Sequence, residues 1–363
     1  MRYLIFFMVE DLSNPRLQGL EKGNWCLDDF QISFEKGILE LSGWCLDLPA
    51  RGTGSFFLNG VALSSEVTLF EREDIDTLFG YVPKSRPRGF SIQLPLSRVG
   101  SVAEWRLNYG RSGEGMRQAY FGPGVDFLRE NVLWPNADRR FRVHGSRDLE
   151  PFILEGLSCA KKIEALAEAY SEMPLKQLNV LDWGCGCARV GRWLHGKFKE
   201  LSGVDIDADN AAWCREYFDS GEWKGCELSP PLPFDGDTFD LLYGVSVFTH
   251  IAESAQSMWL KELSRVLKPN ALALVSVHGP SSAARFGLSD TSWDEWRRCG
   301  ILDLGPSRDL EAVFGEHEHY RGTLHTEAYL RDNWSEFFEV EAVVPAIFGN
   351  HQDVVVLRNR GTI

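Results

Sequence analysis

One stretch constrains this chain more than any other: V-L-D-W-G-C-G-C-A-R-V-G-R, from Val180 to Arg192. The apolar run closed by Asp182 reads as a buried strand. Gly184 and Gly186, with Cys185 between them, allow a tight backbone turn, and the residues beyond read as a helix whose first N–H groups point at whatever binds there. A strand, a glycine turn and a helix make a nucleotide-binding crevice. The dinucleotide fingerprint G-x-G-x-x-G needs a glycine where Arg189 stands, and its acidic residue follows the glycines, whereas Asp182 precedes them. An NAD-dependent Rossmann enzyme is therefore the less favoured reading.

The residues downstream extend the pattern. L-S-G-V-D-I-D reads as a second buried strand ending at Asp205, where a carboxylate can accept both hydroxyls of a ribose and Ile206 can lie on an adenine ring; helix capping is the structural alternative for such an acid. Then comes P-P-L-P-F-D-G-D-T-F-D-L-L-Y-G-V-S-V-F-T-H-I, and after a helical stretch K-P-N-A leads into the apolar run A-L-A-L-V-S-V-H-G. Phe337 to Ile347 and Asp353 to Leu357, separated by F-G-N-H-Q, read as a closing antiparallel hairpin.

D-x-G-x-G followed by these motifs, in this order, resembles the class I S-adenosylmethionine-dependent methyltransferases over about Val180 to Leu357. The resemblance implies a seven-stranded, mostly parallel, doubly wound α/β sheet with S-adenosyl-L-methionine as cofactor. Asp182, Gly184, Cys185, Gly186, Asp205 and Ile206 would line its site, with Glu227 or Leu228 near adenine and the strand end at Gly244 and Val245 bordering it. Two positions depart from the family pattern: Ala188 replaces its third glycine, and Asn270-Ala271 replace the glycines of K-P-G-G.

From about Gly23 to Tyr120 the pattern changes to period two, as in Phe90, Ile92, Leu94 and Trp105, Leu107, Tyr109, and Asn59-Gly60 signals a tight hairpin. This predicts a smaller β-rich, sandwich-like domain over residues 1–125 and a methyltransferase-type domain over 126–363, the two joined through Phe121 to Asn136. W-C-L-D occurs at Trp25 and again at Trp44, read as two equivalent strand ends. G-W-C-L-D at Gly43 and R-G-F at Arg88 resemble a β-sandwich module found ahead of methyltransferase or glycosyltransferase domains. Core packing is the favoured reading for Trp25, Trp44 and Phe57 over stacking on sugar rings. Helices are expected between Leu149 and Tyr170, and Arg142 and Gly145, in the basic stretch Arg139 to Gly145, would by analogy reach the methionyl end of a cofactor.

A net charge of -14 without basic–aromatic clusters would repel a phosphate backbone, so no nucleic acid is expected as partner. The apolar run Tyr3 to Val9 is too short to span a bilayer and reads as a strand or ordered tail. The eight cysteines show no zinc spacing, so no metal is expected, and reduced thiols point to a cytoplasmic protein. The sequence sets no oligomeric state.

Methyl transfer to a hydroxyl needs a base, and His250, His278 and His325 follow expected strand ends or lie in the segment 280–323, which reads as a substrate cap; His351 lies in the closing hairpin. His250 ranks first, because it follows the fourth strand. O-methylation of a sugar, glycan or other small hydroxylated acceptor is the favoured function. A glycan-binding protein with a degenerate, non-catalytic methyltransferase-like domain is the remaining alternative.

Overall fold

The computed structural model describes residues 25–46, 48, 54–63, 65–78, 87–99, 104–111, 116–129, 133–307, 318–349 and 351–361; the run Tyr3 to Val9 lies outside them. The chain divides into two compact units, one of Met1–Val132 with Leu149–Ser158, the other of Leu133–Asp148 with Cys159–Ile363.

In the first unit the strands are β1 (Trp25–Ser33), β2 (Ile38–Cys45), β3 (Gly54–Leu58), β4 (Val61–Leu63), β5 (Val67–Phe70), β6 (Gly89–Pro95), β7 (Glu104–Arg111) and β8 (Met116–Pro123). They form two four-stranded antiparallel sheets, ordered β1-β2-β6-β5 and β4-β3-β7-β8. Alternation decides which side chains face inward: Phe90, Ile92 and Leu94 from β6 and Trp105, Leu107 and Tyr109 from β7 are fully buried. Phe56 of one sheet meets Phe90 of the other at a centroid separation of 4.4 Å, and Trp25 meets Tyr120 at 4.8 Å, so the aromatic rings form the filling of a sandwich. Asn59 and Gly60 turn β3 into β4 with φ of 49° and 80°.

The two W-C-L-D copies pair with each other across β1 and β2, Trp25 opposite Cys45 and Cys26 opposite Trp44. Trp25 and Trp44 are both buried, the core role expected of them, whereas Phe57 is half-buried because its neighbours Phe56 and Leu58 take the inward positions of β3. R-G-F has a structural explanation. The buried Arg88 guanidinium donates to Leu46 O and pairs with Asp76 at 3.2 Å, tying β6 to the end of β2. Phe121 to Pro123, expected in a linker, instead complete β8 by pairing with Glu104 to Arg106, and Val125–Arg129 forms a short helix.

The second unit carries β9 (Asn179–Trp183), β10 (Glu200–Asp205), β11 (Trp223–Gly225), β12 (Phe239–Gly244), β13 (Leu267–His278), β14 (Ile301–Pro306), β15 (Arg321–His325), β16 (Phe338–Phe348) and β17 (Gln352–Asn359). The order β11-β10-β9-β12-β13-β17-β16, in which β17 alone runs antiparallel to the rest, gives the seven-stranded sheet expected from the sequence. The cap segment adds two strands: β15 meets only the end of β13, at His278 and Leu324, and β14 pairs with β15. Leu181 and Trp183 share a core with Trp259, Leu260, Leu263 and Val266 of the helix Glu253–Val266. By alternation Asp182 points the other way, where a Cβ on Gly191 would lie 3.1 Å from its Oδ2. Asn270 takes the left-handed φ of 64° that the family's glycine would supply.

Candidate active site

The glycine turn sits on the carboxyl edge of the sheet. Gly184 and Gly186 have φ of 77° and 53°, and Ala188, at the third glycine position, holds φ 59° and so keeps the same backbone form. The N–H groups of Gly184 and Cys185 both donate to Val204 O, at 2.8 and 3.1 Å, which fastens the turn to β10. A Cβ at Gly184 would come within 2.6 Å of Val247, and one at Gly186 within 2.7 Å of Val143, so the glycines also serve close approach. Beyond the turn the expected helix is reduced to one turn, Gly191–Leu194. His195 is extended and Gly196 follows at φ 73°, which ends it.

Asp205 links the turn to the next loop. Its Oδ2 accepts from Gly186 N at 2.7 Å and its Oδ1 from Asp207 N at 2.8 Å, and the Asn210 side chain bonds the same carboxylate. Burial raises its pKa to about 6, against the lowering effect of those two N–H groups. Asp182 is also buried. Desolvation raises it to about 7, the Tyr243 hydroxyl opposes the rise and the charge of Asp205 adds to it. Asp182 and Tyr243 lie opposite each other in register on β9 and β12, so Asp182 supports the turn from below. Cys185 supports it from behind: its hydrogen bond with Cys214, then burial, hold it as a thiol, and Cys214 Sγ donates to Gly186 O at 3.4 Å.

A cover that the sequence only hinted at comes from the helix Ala137–His144, capped by Asn136 and Gly145. Val143 packs on Gly186, Arg142 Nε binds Asp207 Oδ2 at 3.1 Å, and Arg139 Nη1 donates to Asp209 O at 2.5 Å. Arg142 thereby pairs with Asp207, and the Gly145 N–H donates to Phe141 O at 2.8 Å. Ile206 is half-buried beside Asp205, and Leu228 is half-buried and Glu227 exposed just beyond Cys226, whose N–H donates to Asp205 O at 2.9 Å. Gly244 ends β12 against the Trp183 ring, and Val245 begins the loop that carries Val247.

The histidines separate into two environments. His250 follows Val247 by one turn, its N–H donating to Val247 O at 2.9 Å, and it lies 6.4 Å from His278 between ring centroids. His278 is buried, and desolvation followed by the charges of His250 and His351 pushes it down to about 3, so it is neutral imidazole at ordinary pH and a weak base. His351, 6.2 Å from His278, joins this group. His325 does not. It is 1% exposed and lies 5.9 Å from the Trp334 ring, and its Nε2 accepts from Gln256 Nε2 at 2.8 Å. Burial lowers it to about 3. His325 is thus set apart from His278: Leu324 is the residue paired with His278, and the adjacent His325 ring lies against Trp334 and Gln256.

Val143, Asp207, Val247 and Tyr320 shape the site without any signal in the sequence, because each reaches it through a tertiary contact. All eight cysteines are free thiols. Among the described residues no group of three or more histidine, cysteine or acidic side chains is gathered to hold a metal, and no helix is long and apolar enough to cross a membrane.

Residues 180–270 match the family described as "Methyltransferase domain". Three solved structures illustrate what the fold is similar to. An S-adenosylmethionine dependent methyltransferase from Mesorhizobium loti is 14% identical, with 55% of this chain and 98% of that chain covered and a TM-score of 0.40. A Burkholderia thailandensis 1,6-didemethyltoxoflavin-N1-methyltransferase, solved with 1,6-didemethyltoxoflavin and S-adenosylhomocysteine, is 15% identical over 66% and 95%, with a TM-score of 0.41. A SAM dependent methyltransferase from Aquifex aeolicus is 16% identical over 56% and 98%, with a TM-score of 0.33. Similarity of this size carries no acceptor and no residue role to this chain. The matched segment holds the glycine turn, Asp205 and the strand that ends at Gly244, and over these residues the chain is similar to a methyltransferase domain.

Proposed function

We propose that the chain is an S-adenosylmethionine-dependent methyltransferase acting on a small hydroxylated acceptor, with His250 taking the acceptor's proton. The observation that carries this reading is continuity: Gly184 of the turn touches Val247, and His250 stands one turn beyond, so the binding turn and a half-buried imidazole lie on one edge of the sheet. The residues fit the cofactor. The glycines hold the positive φ of a tight turn at the strand end, and Asp205, fixed by the Gly186 and Asp207 N–H groups and by Asn210, keeps a lone pair for a ribose hydroxyl. Bound there, S-adenosylmethionine supplies a methyl group whose bonding pair stays with sulfur when it leaves. The chain aligns the acceptor oxygen with that carbon, and His250 accepts the O–H proton as the new carbon–oxygen bond forms. Ala188 holds a φ of 59° and Asn270 one of 64°, conformations open to the glycine each replaces, while Ala271 is the remaining support for a degenerate domain.

Calorimetric titration with S-adenosylhomocysteine and NAD is the first test. S-adenosylhomocysteine binds and NAD does not; the reverse result sinks the reading. Asp205→Asn weakens S-adenosylhomocysteine roughly tenfold to hundredfold, the loss of one charge-assisted hydrogen bond. With an acceptor in hand, His250→Asn lowers kcat by at least about a hundredfold at unchanged cofactor affinity. A fall of less than tenfold would move the role of base to another residue.

A further inference from the structure

The acceptor side of this edge is built from rings. His250 and Tyr320 stack with centroids 5.2 Å apart and planes 18° from parallel, while Phe286 stands edge-on to His278 at 5.0 Å and His351 lies nearly parallel to His278 at 6.2 Å. These rings come from separate segments: the turn after β12, the end of β13, the helix Pro280–Phe286, the residue before β15, and the turn between β16 and β17. The cap is fastened to that edge, since Tyr320 bridges Ile251 and Ala252 N–H donates to His319 O at 2.9 Å. Phe286 is 43% exposed although its helix buries Ser282 and Ala283, so a large apolar ring faces outward beside the imidazoles.

The His351 ring is held in one orientation. Ser282 Oγ donates to His351 O at 2.6 Å, His351 N to Phe348 O at 3.1 Å, and Nδ1 lies 2.9 Å from Gly349 O. A carbonyl oxygen only accepts, so the proton sits on Nδ1 and the ring's lone pair on Nε2. Phe286, Tyr320 and the imidazoles offer ring faces and edges, with which another aromatic ring packs in offset-stacked or edge-to-face geometry. Acidity points the same way. A phenolic hydroxyl titrates at about 10 and an imidazole at about 6.5, a gap a neighbouring base can bridge, and an alcohol of a sugar is a far weaker acid.

We infer that Phe286, Tyr320 and His351 form an acceptor subsite for a planar aromatic ring bearing the hydroxyl to be methylated, a phenol. The inference rests on the methyltransferase reading and narrows its acceptor. Its test uses the full chain saturated with S-adenosylhomocysteine, titrated calorimetrically with phenol, with cyclohexanol as the same ring without a π face, and with methyl glucoside. Phenol binds at least about tenfold more tightly than either. Phe286→Ala, at an exposed position that leaves the fold intact, and Tyr320→Ala each weaken phenol about threefold to tenfold at unchanged affinity for S-adenosylhomocysteine. Equal binding of cyclohexanol, preference for the glucoside, indifference to both substitutions, or no phenol binding by a chain that binds S-adenosylhomocysteine would each overturn the subsite. A chain that fails to bind S-adenosylhomocysteine fails at the first titration instead, and the methyltransferase reading falls with the subsite.

Discussion

Asp182 and Asp205 end neighbouring strands, yet their surroundings give them different work. Asp205 can accept ribose hydroxyls only as a carboxylate, and its pKa is raised to about 6. Affinity for S-adenosylhomocysteine is therefore expected to be level above about pH 6 and to fall roughly tenfold per pH unit below it, measured by titration between pH 5 and 8. Asp205→Asn should bind weakly with no such slope. Asp182 is raised to about 7 from 3.8, so between those values the folded chain holds a proton that the unfolded chain releases, and stability from this group is lost as pH rises through the window. His278 and His325, lowered to about 3, act in the opposite direction, so the informative quantity is a difference between proteins. Asp182→Asn should gain stability relative to the wild type from pH 4 to 7 and then level off. A flat difference in denaturant midpoints would show that Asp182 ionises as easily folded as unfolded.

At the scale of elements, the site depends on a helix pressed against a turn. Val143 occupies the space that a Gly186 side chain would need, and Gly186 has φ 53°. Gly186→Ala is expected to cost about 1–2 kcal/mol from the left-handed backbone alone, and to weaken S-adenosylhomocysteine more than tenfold because the helix Ala137–His144 must lift. Unchanged affinity would mean that this helix is not part of the binding wall. Arg139 and Arg142, bound to Asp209 O and Asp207, explain the basic stretch in an acidic chain: it clamps the helix to the loop after β10.

At the scale of the whole molecule, we propose that the two units act as separate cooperative bodies. Limited proteolysis should then cut between about Arg129 and Asn136 and leave a C-terminal fragment that binds S-adenosylhomocysteine; a fragment that cannot bind would show that the units are interdependent. Much of the architecture was legible in the sequence because it is set locally. Period two in Phe90, Ile92 and Leu94 defines a half-buried strand, Asn59-Gly60 accepts the positive φ of a hairpin, and D-x-G-x-G can close only as a strand followed by a tight turn. The turn at Gly184 and Gly186 was legible for the same reason. Only the tertiary structure decided which histidines share the edge, since one residue of register separates Leu324, paired with His278, from His325, buried against Trp334. It also decided that Arg142 pairs with Asp207, that Val143 and Val247 close on the glycines, and that five rings from distant segments meet at the cap. Such contacts depend on how elements pack, and packing joins residues whose separation along the chain carries no periodic signal.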